Sequence, residues 1–327
     1  MAGQRASWSG SKQSFPPVFD LYPSSPIPSS VPLVTMAMRF LVSAGVLLLS
    51  PLLAEASRSA KRGLIFIPNS TTLQDNSIWV QTNSDLTWYY NYGNLPSADY
   101  VSIPQGKFEF VPMMWGVGPN PSQDFAFRDS VLSLINGGTP ISHAMSFNEP
   151  DAPAAWGGSD VTPANAATAY IANFVPLQQR GVRIGLPACT GAPSGLDWLH
   201  QFVGNCTQQL GRDCPYDFVS LHWYDNFDGL KSHISDYSAA FPGKKLWVTE
   251  YAYANQDLTT TQQFFNASAD YMDGLANLER YSYFGAFRSN VSNVGPNATF
   301  LNNAGRLTDI GSLYLGFGLT GVIPTSG

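Results

Sequence analysis

The chain has 327 residues, of which 44% are hydrophobic and 13% aromatic, enough for a fully buried core. Only 12% are charged and the formal net charge is -6, which excludes nucleic acid as a partner because phosphate binding needs clustered Lys and Arg. Many aromatics and little charge suit a neutral ligand such as a sugar.

Residues 1–35 are rich in Ser, Pro and Gly, lack periodicity and read as a disordered or upstream extension. Met38-Arg39 then opens an apolar run over residues 40–53 that ends in Ala54-Glu55-Ala56. A basic residue, a short apolar stretch and an Ala-x-Ala end make residues 36–56 a secretory signal peptide, with translation starting at Met36 or Met38. The run is too short to span a bilayer comfortably, so no membrane association is expected after cleavage. Lys61-Arg62 offers a dibasic processing site, which makes residues 57–62 a short pro-segment and starts the mature domain at Gly63. A secreted, extracellular or wall-bound protein is the expectation. Sequons at Asn69, Asn205, Asn266, Asn290 and Asn297, all expected in loops or at helix edges, agree with that route. So does the cysteine usage: Cys206 and Cys214 bracket a short loop and suit a disulfide, leaving Cys189 as a buried small hydrophobe. No Cys or His pair has metal-ligand spacing, and no metal or organic cofactor is implied.

From Gly63 onward, β-rich apolar runs cover residues 64–67, 87–92, 109–115, 143–148, 183–189, 217–224, 245–251 and 281–287. Helical stretches are expected at 124–136, 163–179, 196–202, 230–240, 260–277 and 307–317. Thr162-Pro163 supplies an N-cap and a first-turn Pro, Pro176 is expected to kink the last turn, and Gly181 to close that helix. Alternating strand and helix imply parallel βαβ units, and eight of them match a single-domain (β/α)8 barrel over 63–327. An open doubly wound sheet is the runner-up, but no Gly-rich phosphate loop follows the first strand. A monomer is expected.

Two acids stand at strand ends, where such a barrel keeps its chemistry. Glu149 follows the fourth run, in Ser146-Phe147-Asn148-Glu149-Pro150-Asp151; Glu250 ends the seventh, in Trp247-Val248-Thr249-Glu250-Tyr251. An isolated Glu there could simply cap a helix, but two opposed carboxylates are what glycosidic bond cleavage needs. The period of two puts Leu246, Val248 and Glu250 on one face, and leaves Trp247 out of phase, packed against a helix. On the sixth run His222 and Tyr224 share a face; a Tyr hydroxyl bonded to a carboxylate keeps it ionised, and His222 could tune either acid or bind a sugar hydroxyl. Aromatics collect at the same rim: Tyr90 and Tyr92, Trp115, Trp156, Trp223, Tyr251 and Tyr253. They are read as platforms for sugar rings, with Asn91 and Asn148 recognising hydroxyls and core packing as the competing reading of each aromatic.

These motifs resemble the catalytic core of glycoside hydrolase family 128, the alkali-sensitive-linkage-protein-like glycosyl hydrolases. The resemblance rests on Trp88-Tyr89-Tyr90-Asn91-Tyr92, Phe110-Val111-Pro112-Met113-Met114-Trp115-Gly116, Phe147-Asn148-Glu149-Pro150-Asp151, Asp217-Phe218-Val219 with Leu221-His222-Trp223-Tyr224, Trp247-Val248-Thr249-Glu250, and Arg280-Tyr281 with Tyr283-Phe284. It implies endo-acting hydrolysis of β-1,3-glucan with retention of configuration, Glu149 as acid/base, Glu250 as nucleophile and Asn148 as a donor to the sugar 2-hydroxyl. One departure is that many members of the wider clan carry an Arg on strand two near the nucleophile, and residues 87–92 have none. Two other readings stand beside this one: a secreted glucan-binding wall protein without turnover, and a glycanase acting on β-1,4-mannan or β-1,4-glucan.

Overall fold

The computed structural model describes residues 59–327; the expected extension and signal peptide lie outside the described residues. Eight parallel strands form two sheets. One joins β1 (Gly63–Ile65), β2 (Trp88–Tyr90) and β3 (Glu109–Phe110) in that order. The other runs β4 (His143–Ala144), β5 (Arg183–Cys189), β6 (Phe218–Trp223), β7 (Lys245–Tyr251) and β8 (Leu278–Tyr283). Isolated parallel bridges stand at both seams, Met113 with Met145 and Arg62 with Tyr281.

Strict alternation of strand and α-helix is not met. Between β1 and β2 lies a 3-10 helix, Leu73–Val80, and between β2 and β3 no α-helix forms. The remaining connections carry α1 (Ala126–Asn136), α2 (Pro163–Gln178), α3 (Pro193–Leu210), α4 (Phe227–Ala240) and α5 (Leu258–Gly274), with α6 (Asp309–Tyr314) after β8. Side-chain caps set several starts: Thr162 accepts from Asn165 N, Asn226 from Gly229 N, Asp257 from Thr260 N and Thr308 from Gly311 N. α2 runs through Pro176, and Gly181 turns the chain behind it at φ 86°.

α3 is far longer than expected. It carries Asn205 and Cys206, so Cys206 and Cys214 do not bracket a loop; their disulfide ties the last turns of the helix to the segment entering β6. Asn205 therefore sits inside a helix, its amide donating to Gln201 O, and Asn266 sits inside α5. Asn290 is exposed in a 3-10 turn, while Asn69 and Asn297 are half-buried with their amides bonded to Thr72 and Gln256 O. Cys189 is buried and unpaired, as expected.

Arg62 is not an exposed processing residue. Its guanidinium is buried and donates to the Tyr281 hydroxyl and the Leu313 carbonyl, while Lys61 Nζ donates to three carbonyls at the end of α5. Cleavage after Arg62 would strip a strand-bridging residue from the folded domain.

The amino-end floor of the strands is a charged layer. Glu109 accepts from His143 Nδ1 at 2.7 Å and from Arg280 at 2.6 Å, and Arg183 forms two bonds to Glu279 at 2.9 and 3.0 Å. Trp247, expected against a helix, instead stacks on Phe218 at 4.0 Å and lies beneath Arg280 at 4.4 Å. The phase changes because the ladders shift register between Leu221 and His222 and between Val248 and Tyr251. Trp247 and Glu250 thereby face the same interior despite their odd spacing.

Candidate active site

Both acids emerge at the carboxyl ends of parallel strands. Glu149 is reached from β4 through a bridge: Asn148 pairs with Ala188, Asn148 N donates to Trp115 O, and Glu149 N donates to Ala188 O at 2.8 Å. Glu149 then takes φ 40°, a left-handed conformation that non-glycine residues adopt at a cost of about 1–3 kcal/mol. The loop after it holds that turn. Ala152 N and Ser159 N donate to Glu149 O, and Val161 N donates to Pro150 O. Gly158 is required there, since a Cβ would lie 2.2 Å from Ala152 O and 2.6 Å from Glu149 O.

Glu250 is 5% exposed and accepts three phenol donors. Tyr92 and Tyr90 donate to Oε1 at 2.7 and 3.3 Å, and Tyr224 donates to Oε2 at 2.7 Å. The end of β2 thus offers two tyrosine hydroxyls where an Arg was missing from the sequence. Burial, and after it the Glu250 charge, pushes all three phenols well above their ordinary range, so they remain donors.

His222, 1% exposed, joins the two acids: its Nδ1 lies 2.9 Å from Glu149 Oε1 and 3.7 Å from Glu250 Oε2. Burial raises the Glu149 carboxyl above its ordinary range, helped by the charges of Glu250 and Asp151 and opposed by His222. Burial pulls His222 down, yet the two glutamates outweigh it and raise it. A proton is therefore held on the Glu149–His222 pair. One oxygen of Glu149, one of Glu250 and a ring nitrogen of His222 all lie within 4.8 Å of one another. Among the described residues this is the group able to hold a cation, and residues so far apart in sequence give no ligand spacing to read.

The other expected contacts divide. Tyr90 and Tyr224 reach the site as partners of Glu250. Asn148 is buried beside Glu149, its amide donating to Gly157 O and its Oδ1 without a protein partner. Trp115 is half-buried at the same strand ends, and Trp156, on the loop after Glu149, is 58% exposed. Tyr253 is half-buried and packs on Phe264 of α5. Two of them are engaged elsewhere. Trp223 alternates away from His222 and lies on α4, with its ring against Gly229 and His233 and its Nε1 donating to Asn226 O. Asn91 closes its own turn, accepting from Gly93 N and donating to Leu95 O. Tyr92, named as a rim aromatic, turns out to be a direct partner of Glu250; its spacing from Tyr90 was the available signal.

A cavity of about 480 Å³ opens beyond β1 and β8, lined by Ile67, Trp79, Phe284, Phe287 and Asn293 among others. Phe284, on the wall of that cavity, packs edge-on against Tyr224 at 5.9 Å.

The pattern described as the glycosyl hydrolase catalytic core matches residues 63–314. The chain belongs to that family, as the core of glycoside hydrolase family 128. Alkali-sensitive linkage protein 1 of Schizosaccharomyces pombe is 31% identical over 270 residues, which are 80% of this chain and 45% of that protein. The chain thus spans about half the length of that curated relative. Among solved structures, a subgroup III curdlan-specific exo-β-1,3-glucanase from Blastomyces gilchristii, in complex with glucose, is 26% identical with a TM-score of 0.61, covering 79% of this chain and 99% of that one. A subgroup VII oligosaccharide-binding protein from Trichoderma gamsii is 24% identical with a TM-score of 0.58, covering 78% and 92%. Residues 63–314 are thus the part of the chain that corresponds to the family's catalytic core.

Proposed function

We propose that the protein hydrolyses β-1,3-glucan with retention of configuration, using Glu149 as acid/base and Glu250 as nucleophile. The observation that carries this reading is the approach of the two carboxylates, one oxygen of each lying within 4.8 Å of one oxygen of the other. Retaining enzymes hold their carboxyls about 5–5.5 Å apart, whereas inverting ones need about 6.5–9.5 Å to admit a water. The roles follow from the surroundings. Glu149, raised by burial and sharing a proton with His222, donates that proton to the leaving glycosidic oxygen. Glu250, fixed by three phenol donors, attacks the anomeric carbon and forms a glycosyl ester. Glu149, now ionised, takes a proton from water as its oxygen attacks the ester, and Glu250 leaves as carboxylate.

The β-1,3-glucan assignment draws on the Blastomyces gilchristii relative. Trp115, Trp156 and the cavity beside Phe284 supply surfaces for neighbouring sugar units. We take the two sheets as one closed eight-stranded ring, supported by the bridges at both seams. Secretion as a monomer, with N-glycans on exposed sequons such as Asn290, completes the reading. Assaying laminarin with wild type, Glu149→Gln and Glu250→Gln tests it: both variants lose sugar release, and full activity in either one defeats the assignment. The fold shared with an oligosaccharide-binding protein favours a second reading, binding without turnover. Glucan binding by wild type with no sugar released, even at high protein concentration, would select it.

A further inference from the structure

Asp151 lies two residues beyond Glu149, half-buried, and has no role in the proposed bond cleavage. Its carboxylate accepts from Thr190 N at 3.0 and 3.2 Å and from the Thr190 hydroxyl. Thr190 directly follows β5, and two residues before it Ala188 accepts from Glu149 N and bridges Asn148. Glu149, at φ 40°, is therefore bracketed: a backbone clamp to β5 stands on one side and a side-chain clamp to the same strand end on the other. The clamp extends into α3, because Ala192 N donates to the Thr190 hydroxyl and Gly195 leaves room for the carboxylate, where a Cβ would stand 3.2 Å from Asp151 Oδ2. α3 has no side-chain cap of its own, so a carboxylate against its first turn is also favourably placed relative to the helix dipole.

We infer that Asp151 is a positioning residue for Glu149: bonded to Thr190, it holds the strained turn so that the acid/base carboxyl stays on His222 and facing Glu250. This rests on the hydrolase reading. A left-handed residue before a proline is sterically disfavoured and persists only where its surroundings over-determine it. Releasing one clamp lets the turn relax and moves the carboxyl, and a displacement of about 1 Å costs roughly 100-fold in rate. The Asp151 charge has a second effect, since it adds to burial and Glu250 in raising Glu149. The titratable groups facing Glu149 are His222, Glu250, Asp151, Tyr90, Tyr224 and Cys189.

Two substitutions separate position from charge. Thr190→Val keeps the charge and removes the hydroxyl donor; kcat falls with the basic limb of the pH profile in place. Asp151→Asn keeps an acceptor for Thr190 N and removes the charge; its basic limb moves to lower pH. Asp151→Ala loses both, with kcat down about 100-fold and KM little changed. Wild-type kcat in Asp151→Ala, or losses that only track a fall in Tm, would overturn the inference. The Glu149 carboxyl is also followed directly, by carbon NMR of Glu-labelled protein with Glu149→Gln identifying the signal. Its titration moves to lower pH in Asp151→Asn, and an unmoved titration would sink the charge arm. That readout needs no turnover, so wild type releasing no sugar would defeat the hydrolase reading and leave this measurement standing.

Discussion

His222 Nδ1 sits 2.9 Å from Glu149 Oε1, the histidine buried and the glutamate half-buried, so that the two groups share a proton. His222 and Glu149 come from β6 and the end of β4, brought together by the parallel sheet that runs from one to the other through β5. The glutamate is raised chiefly by burial, and His222 is raised by the two carboxylates against its burial.

The pH profile follows from that pair. With Glu149 as the proposed acid/base, the active form is the one in which the Glu149–His222 pair holds its proton, so kcat/KM falls on the basic side as the pair loses it. His222→Gln removes the hydrogen bond and the positive charge that oppose the rise of Glu149. Glu149 then holds its proton more tightly, and the basic limb moves to higher pH. A kcat/KM profile with an unmoved basic limb would show that His222 does not set it.

Tyr92 and Tyr224 each donate to Glu250 at 2.7 Å, one to each oxygen of its carboxylate. Hydrogen bonds to a charged group are worth about 1.5–3 kcal/mol, so Tyr92→Phe and Tyr224→Phe each lower kcat/KM roughly ten- to hundred-fold. Steady-state kinetics checks this. An intact rate in Tyr92→Phe would mean that its contact with Glu250 is incidental.

Acid stability depends on the strand floor. Burial pushes Glu109 up, but its bonds to His143 and Arg280 outweigh that and hold it below the ordinary carboxylate range. A carboxyl lowered in the folded state contributes stability that is present above the unfolded value of 4.5 and is lost as pH falls through the folded one. Glu109→Gln is thus about 3 kcal/mol less stable at pH 7 and shows a flatter fall of Tm on acidification. Equal Tm slopes for variant and wild type would remove Glu109 from the acid transition.

Long, regular elements were legible in the sequence. β5 and β7 form over residues 183–189 and 245–251 as expected, and α2 starts at its Thr-Pro cap. β3 and β4 shrink to two residues each because their ends pair only through isolated bridges at Met113, Met145 and Asn148. β8 starts and stops earlier than expected; Gly285 follows, where a Cβ would meet Ala298 O at 2.6 Å. α3 outran its expected end because Gly204 and Asn205 are poor helix formers that a docked helix tolerates. In the site, both glutamates, His222 and Tyr224 were visible as strand-end polar groups. Register shifts hid the direction of Trp247, and local turn bonds hid the fate of Asn91. The role of Asp151 was invisible because its partner Thr190 lies on another strand end.

The central claim is that Glu149 and Glu250 act as a retaining pair, and the stereochemical course tests it most directly. Proton NMR of a laminari-oligosaccharide during the first minutes of hydrolysis reads the anomeric configuration before mutarotation. The account predicts that the β-anomer appears first and the α-anomer later. Initial release of the α-anomer would contradict it.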